Sequence, residues 1–422
     1  MFSIFSELLI ASFRSPSDRD SSQELWRRSS FRIPNKSGTA FRIFAGLIKR
    51  IILSEKRELA SSNFKILAFD SKSSNEGFRL NFLKDQKLKA AYISREQLHS
   101  VRPRWKRLST MLGTTILILL LRLIFFLLKR NFSPKSLALL VHEREEWKAL
   151  SQVCQDQAYS EVHFFSPYEI DANFLAEILM AQGVEVIKYP SPGPLSGHNS
   201  LVVADALAIS NAYQEEEINT GQITLKVKKT FPSKPENWEK FVVHKVGAQV
   251  VPKYRVAYYS SATYLREQNY STTAYIGSEQ SEIQLLKSIA LFLSKQGSTL
   301  AIYLHPKEKK ADSVVVENYY RELLGKGFDY DLVFEDTVLS FADVDVAVGT
   351  YSTVLFDRVY CGFKTLFYTS GIVDFPLPSS ALKMLCISDI NLLHESLVHQ
   401  LDCPKEEIFT EDLNRYPWYG WT

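Results

Sequence analysis

A chain of 422 residues, 45% of them hydrophobic, is long enough for two or three domains with real cores, which excludes a small disulfide-stapled scaffold and a wholly disordered protein. Its formal charge of +3 conceals an asymmetry: residues 1–130 hold 25 Lys and Arg against 10 Asp and Glu, leaving 25 against 37 of the totals of 50 and 47 for the remainder. A basic front and an acidic back point to an anionic membrane surface met at one end rather than to nucleic acid. Cys154, Cys361, Cys386 and Cys403 show neither metal spacing nor a paired framework, so reduced thiols are expected.

The first 60 residues are rich in Ser and Arg and read as partly disordered, with an amphipathic helix at Phe41–Ile52 that lies on a membrane or packs against the protein. No basic leader or small-residue cleavage site marks Met1–Ile10 as a signal peptide. Phe64–Asp70 and Ala90–Ser94 read as strands. Residues 111–129 then form a very hydrophobic helix with Arg122 near its middle and basic residues on both flanks. Its length suits a membrane span, a helix lying in one leaflet, or a buried helix of the first domain. The central arginine works against an unpaired span, because such a charge costs about 2.5 kcal/mol or more.

From Ser136 onward apolar runs alternate with helical patterns. Leu137–Val141, Glu161–Phe165, Val184–Ile187 and Leu201–Ala204 read as strands; Arg144–Gln152, Ala172–Gln182 and Asn211–Glu217 read as helices. This is the pattern of βαβ units around a parallel sheet. The polar, Pro-containing segment Lys226–Lys240 reads as the inter-domain linker, drawn at 230–254. A second alternation follows: strands at Val256–Ser260, Leu300–Leu304, Leu332–Phe334, Val344–Val348, Thr365–Tyr368 and Met384–Ile387, with helices at Glu282–Lys295, Val314–Leu324, Val354–Tyr360 and Asn391–Leu401. The expected fold is α/β, two Rossmann-like parallel-sheet domains facing a cleft. Residues 61–229 form the N-terminal domain and 255–405 the C-terminal one, and an aromatic tail at 406–422 packs back across the junction.

Ligands of open parallel sheets sit beyond the carboxyl ends of the strands. Two such ends stand out. Leu300–Leu304 stops at His305–Pro306–Lys307, where an imidazole and a cation are available to a phosphate and Pro306 ends the ladder. Val344–Val348 breaks at Gly349–Thr350–Tyr351–Ser352–Thr353, a turn into a helix whose first N–H groups and hydroxyls suit an anion. The blander alternatives are a His-Pro turn and an ordinary helix cap. Ser260 and Ser261, after the first strand of the second domain, are further candidate phosphate contacts. In the first domain Glu169 and Asp171, at a helix start, and His142, at a strand end, are candidates for the base that deprotonates an acceptor hydroxyl. Asp343–Val344–Asp345 has the form of a metal-binding Asp-x-Asp, but it opens an apolar strand that would send its carboxylates along the sheet. No essential metal or other cofactor is expected.

With these residues the second half resembles the GT-B glycosyltransferases, in particular the bacterial sialyltransferase-like enzymes of surface-polysaccharide synthesis. The matching positions are His305–Pro306 and Thr350 with Ser352–Thr353; the same layout is similar to that of the CDP-glycerol polymer transferases. The resemblance implies a nucleotide-sugar donor, a CMP-sugar among the candidates, whose phosphate is held by these motifs. It implies a metal-independent displacement with a first-domain carboxylate as base, a glycan acceptor, and a place on the cytoplasmic face of the membrane. The acidic motif of those sialyltransferases, two carboxylates followed by glycine, is absent from the chain. A CDP-glycerol-type phosphotransferase and a non-catalytic scaffold are the alternative expectations.

Overall fold

The computed structural model describes residues 64–98, 149–267 and 278–409, together with Leu112, Gly113 and Ile116 (gaps fall at 71–75, 86, 95–96, 166–169, 191–200 save Gly193 and Leu195, 221–223, 235–239, 242, 245–250 and 373–379). The basic N-terminal region, most of the 111–129 stretch, the strand expected at Leu137–Val141, His142, Glu169 and the aromatic tail from 410 lie outside the described residues. Among the described residues no helix is long and apolar enough to cross a membrane.

The described chain forms two compact units. The first takes its residues from Met1–Pro190, His198–Ala208 and Ile223–Phe231, the second from Ser191–Gly197, Ile209–Gln222 and Pro232–Thr422. The first unit is a six-stranded sheet in the order β2-β1-β3-β4-β5-β6, built from β1 (Ile66–Asp70), β2 (Ala90–Ser94), β3 (Glu161–Phe164), β4 (Glu185–Lys188), β5 (Leu201–Ile209) and β6 (Thr224–Pro232). The pairings from β2 through β5 are parallel. Helix α1 (Glu76–Asp85) links β1 to β2 and α2 (Ile170–Ala181) links β3 to β4.

Strand β6 corrects the linker boundary, since the chain is still in the sheet through Pro232. Leu225, Val227 and Phe231 alternate with Lys226, Lys228 and Thr230, a period of two that the polar composition obscures. The lysines and the terminal proline suit its place at the edge, where an unpaired ladder must be kept from recruiting another strand. Two lysines of this edge reach acids of neighbouring strands: Lys228 meets Asp205 at 2.5 Å and Lys229 meets Glu185 at 3.2 Å.

The second unit holds β7 (Tyr254–Tyr259), β8 (Leu300–Tyr303), β9 (Tyr330–Val333), β10 (Val344–Gly349), β11 (Thr365–Tyr368) and β12 (Cys386–Ile387), in the order β12-β11-β10-β7-β8-β9 and parallel throughout. Its helices are α3 (Ala212–Asn219), α4 (Thr263–Glu267), α5 (Glu279–Ser294), α6 (Ser313–Leu324), α7 (Thr353–Tyr360) and α8 (Leu393–Asp402). Both faces of this sheet are covered, so its strands are largely apolar rather than alternating with polar residues; Arg255, Asp331 and Asp345 are the charged residues in them. Val256, Tyr258, Leu300, Ile302, Val346 and Val348 point to a core containing Leu285, Ile289 and Leu397. Their neighbours Ala257, Tyr259, Ala301, Tyr303 and Ala347 point the other way, to a core containing Leu355, Phe356 and Phe367. At about 25 cal/mol per Å² of apolar surface removed from water, each of these fully buried leucines or isoleucines contributes about 1.5–3 kcal/mol.

A buried cation organises the far side of this unit. The guanidinium of Arg358, on α7, donates to the carbonyls of Phe341 (2.6 Å), Val344 (2.5 Å), Asp345 (3.1 Å) and Lys364 (3.2 Å), with no carboxylate partner among these bonds. The aromatic faces of Phe341 and Phe363 close over it. Asp345 instead faces Lys364 at 3.4 Å, so this half of the Asp-x-Asp form is engaged in a salt bridge. All four cysteines are free thiols.

Candidate functional site

Numbered within its own unit, the second sheet has the order 3-2-1-4-5-6. The chain leaves β7 toward β8 on one side and arrives at β10 on the other. At such a reversal the loops beyond the two central strands diverge, and a crevice opens at their carboxyl ends. The loops in question are Ser260–Ala262 after β7 and Thr350–Ser352 after β10, which are the stretches singled out in the sequence.

A cavity of about 550 Å³ lies over these ends, within the range of small-molecule sites. Its walls include Tyr259, Ser260, Tyr303, His305, Pro306 and Lys309 from β7, β8 and the turn after β8, with Ser352, Thr353 and Asp357 from α7 and its cap. Lys240 and the loop from Phe334 to Val338 complete it. Tyr259 and Tyr303 occupy the same register on adjacent strands and stack with ring centroids 4.7 Å apart.

His305 opens a helical turn: the N–H groups of Glu308 and Lys309 both donate to its carbonyl, at 2.8 and 3.1 Å. The N–H of Lys307 donates to His305 Nδ1 at 3.1 Å. That bond makes Nδ1 an acceptor, so the neutral ring carries its proton on Nε2 and can offer it to a ligand. The same turn brings a second cation to the site. Residues four apart share a helical face, so Lys309 is brought beside His305 in the cavity wall while Lys307 is exposed and does not line it. Lys309 Nζ is held by the Glu335 carbonyl (2.5 Å) and Thr337 Oγ1 (3.1 Å), and burial lowers its pKa. In the same loop, between Glu335 and Thr337, Asp336 meets Lys240 at 2.5 Å. Burial opposes ionisation of Asp336, but Lys240 and the N–H groups of Leu339 and Val338 outweigh it and hold the carboxyl below its ordinary range.

The candidates after β7 and β10 divide into two layers. Ser260, Ser352 and Thr353 line the cavity, whereas Ser261 and Thr350 are fully buried beneath it. Ser261 Oγ donates to the Tyr351 carbonyl at 2.9 Å, which uses its one proton; its 2.9 Å contact with Thr350 Oγ1 is therefore donated by the threonine. Neither hydroxyl has a proton left for a phosphate, so these two residues brace the loops instead of binding a ligand. Gly349 belongs to the same brace. A Cβ there would stand 2.7 Å from the Tyr259 carbonyl oxygen and 2.9 Å from Leu355 Cδ1, so glycine is required by close approach of β7 and α7 to β10. Ser352 occupies the cap position of α7 but makes no side-chain capping bond.

Sequence reasoning passed over Glu282 and Glu308. Glu308 is fully buried and accepts from the His305 N–H at 2.7 Å and the Tyr320 hydroxyl at 2.7 Å. Burial raises its pKa, opposed by the Tyr320, His305 and Ser260 donors. The signal was present: a glutamate in a turn three residues after His305 has the spacing to satisfy that residue's N–H. Of the proposed bases, only Asp171 falls within the description, in the first turn of α2. Lys188, at the carboxyl end of β4, is fully buried with its Nζ 2.6 Å from Asn173 Oδ1, and burial lowers its pKa to about 7.

Residues 25–365 match the family described as Alpha-2,8-polysialyltransferase (POLYST). A search of curated proteins returns no match. Among solved structures the chain is similar to UDP-GlcNAc 2-epimerase from Neisseria meningitidis bound to UDP-GlcNAc, at 10% identity over 81% of this chain and 93% of that one, with a TM-score of 0.46. A second is a putative UDP-N-acetylglucosamine 2-epimerase from Listeria monocytogenes, at 7% identity over 84% and 93%, with a TM-score of 0.47. A third is the spinosyn rhamnosyltransferase SpnG complexed with thymidine diphosphate, at 8% identity over 83% and 96%, with a TM-score of 0.38.

Proposed function

We infer the working of the site from one premise: the chain belongs to the alpha-2,8-polysialyltransferase family, glycosyltransferases that transfer sialic acid from CMP-sialic acid onto a polysialic acid glycan. The resemblance drawn from His305–Pro306 and Ser352–Thr353 agrees with that membership, and the missing acidic triplet does not displace the chain from it.

Within this activity, the cavity of the second unit is the site for the CMP portion of the donor. One observation carries the reading: His305 and the Ser352–Thr353 helix start, 47 residues apart in sequence, line a single cavity of about 550 Å³ at the reversal point of a parallel sheet. His305 Nε2–H, the hydroxyls of Ser352 and Thr353, and the first amides of α7 are the donors for the phosphate. The mixed wall suits a nucleotide, which presents an anionic phosphate and hydroxyl donors together; Lys309 and Lys240 serve the first and Asp357 the second.

In the transfer step the acceptor hydroxyl oxygen bonds to the anomeric carbon of the donor sugar as the bond from that carbon to the phosphate oxygen breaks. The acceptor proton passes to a base, and CMP leaves with the electron pair on its phosphate. Donors already aimed at that phosphate stabilise the charge as it develops. Asp171, Glu169 and His142 are the candidate bases. The reaction in this reading needs no metal. The basic residues before 131 and the apolar stretch 111–129 support a working position at the cytoplasmic face of an anionic membrane.

Thermal-shift titration tests the donor site. CMP should raise the melting temperature of the wild-type chain, and His305→Ala should abolish most of the rise. Stabilisation by CDP-glycerol but not by CMP would overturn the reading in favour of a glycerol-phosphate donor. Loss of product on substituting Asp171, Glu169 or His142, one at a time, identifies the base.

A further inference from the structure

We propose that Glu282 is a positioning residue for sialyl transfer, a buried carboxylate that sets the spacing of the two loops forming the donor cradle. The proposal rests on the assignment of the cavity to the CMP portion of the donor.

Glu282 sits in the first turn of α5, is almost wholly buried, and does not line the cavity. Its two oxygens collect donors from the stretch after β7, and reach the loop after β10 through Ser261. Oε1 accepts from the Ser261 N–H at 2.9 Å and lies 3.4 Å from Thr350 Oγ1; Oε2 accepts from the Thr263 N–H at 3.1 Å and from the Thr263 hydroxyl. Ser261 and Thr263 belong to the loop after β7, and Thr350 belongs to the loop after β10. The carboxylate therefore fixes Ser261 by its N–H, and the Ser261 hydroxyl, bonded to Thr350 Oγ1 and to the Tyr351 carbonyl, carries that hold across the sheet's reversal point to the loop after β10.

The local backbone shows what this demands. Ala262, between the two amides that donate to Glu282, has φ of 53°, a left-handed conformation that side chains other than glycine rarely adopt. Its own N–H turns back to Ser260 Oγ at 3.0 Å. The wrap of residues 261–263 around the carboxylate is thus maintained against backbone strain, and it delivers Ser260 to the cavity wall. On the other loop, the bonds of Ser261 Oγ to Thr350 and Tyr351 fix the turn that ends at Ser352 and Thr353. A carboxylate is the side chain for this task because it offers only acceptors to a set of partners that are all donors.

The chemistry at stake is leaving-group alignment. The phosphate donors at Ser352 and Thr353 stay aligned with the wall that Ser260 forms only while the two loops keep their distance, and a displacement of about 1 Å is enough to degrade transfer. Both loops belong to the unit that holds the cavity, so the effect is expected on the donor.

Glu282→Gln is the test, assayed in the full-length chain with CMP-sialic acid and an oligosialic acid primer. The amide keeps the shape but turns an NH2 group toward two of the donors. The expected result is a rise of about tenfold or more in KM for CMP-sialic acid, with KM for the primer unchanged and the circular dichroism spectrum preserved. Should this variant fail to fold, isosteric Thr263→Val removes one hydroxyl donor and should raise the donor KM several-fold with the same selectivity. A loss confined to kcat with both KM values intact would mean a smaller active fraction and would overturn the proposal. Wild-type donor KM in either folded variant, while His305→Ala loses CMP binding, would overturn it and leave the CMP site standing. Unaltered CMP binding in His305→Ala would remove the site and the proposal together.

Discussion

His305 has two polar edges with different tasks, and substitutions can separate them. Nδ1 receives the Lys307 N–H at 3.1 Å and closes the turn; Nε2 carries the proton of the neutral ring. Asparagine places an acceptor near the Nδ1 position and nothing near Nε2. Glutamine reaches the Nε2 position with an N–H donor but leaves Lys307 without its acceptor. A hydrogen bond to a charged group contributes about 1.5–3 kcal/mol, and about 1.4 kcal/mol is tenfold, so losing the Nε2 donor should weaken CMP by roughly 10- to 150-fold. Losing the bond from Lys307, an exposed residue whose N–H can turn to water, costs no more than about 0.5–1.5 kcal/mol. Isothermal titration with CMP should therefore rank wild type above Gln, with Asn and Ala together at the bottom. If Asn binds CMP like wild type while Gln does not, the imidazole acts through the turn alone and the phosphate role is refuted.

Three further outcomes follow from buried groups. Tyr320→Phe removes a hydroxyl that opposes the burial-driven rise of the Glu308 pKa, so ionising Glu308 becomes harder still. A raised carboxyl pKa means the folded state holds a proton the unfolded state has released, so its cost is absent at low pH and grows as pH rises through the window above the ordinary value of 4.5. Urea unfolding should show Tyr320→Phe destabilised by about 1.5–3 kcal/mol at pH 8 and by less below pH 4.5. Lys188 works in the opposite sense: its pKa falls from 10.5 to about 7, so the unfolded state binds the extra proton and stability rises with pH across that window. Lys188→Met should flatten this dependence, and Asn173 Oδ1 keeps its bond from the Val203 N–H at 3.1 Å; an unchanged pH profile of Tm would count against neutral Lys188. Gly349→Ala forces a methyl to 2.7 Å from the Tyr259 carbonyl oxygen; overpacking of this kind costs about 1–3 kcal/mol, and the variant should lose CMP-induced stabilisation as well as Tm.

The second sheet was legible because both its faces are buried. Continuous apolar runs such as Leu300–Leu304 and Val344–Val348 admit few other readings, and their observed counterparts end within a residue of those positions. Strand β6 was misread because an edge strand alternates lysine with apolar residues and resembles a polar connector. Helix α1 was not anticipated, its one-sided burial being too weakly patterned in Glu76–Asp85. At the site, residue type located the right loops but not which side chains face outward. Ser260 and Ser261 are chemically the same, and only the position of the Tyr351 carbonyl decides that the Ser261 hydroxyl is consumed from below. Lys309 was passed over because the sequence does not show that the segment after Pro306 closes a helical turn.

That turn has a use beyond this chain. Because the imidazole and the ammonium share a wall only by being four positions apart, inserting or deleting one residue between them would rotate the cation by about 100° and strand it in solvent. A pattern written as His-Pro followed by any two residues before Lys309, with Glu308 filling the second of them, encodes the spatial requirement, and adjacency of Lys307 to the proline does not. Chains with a gap inside that five-residue frame should therefore have recruited their positive charge from elsewhere on the cavity rim.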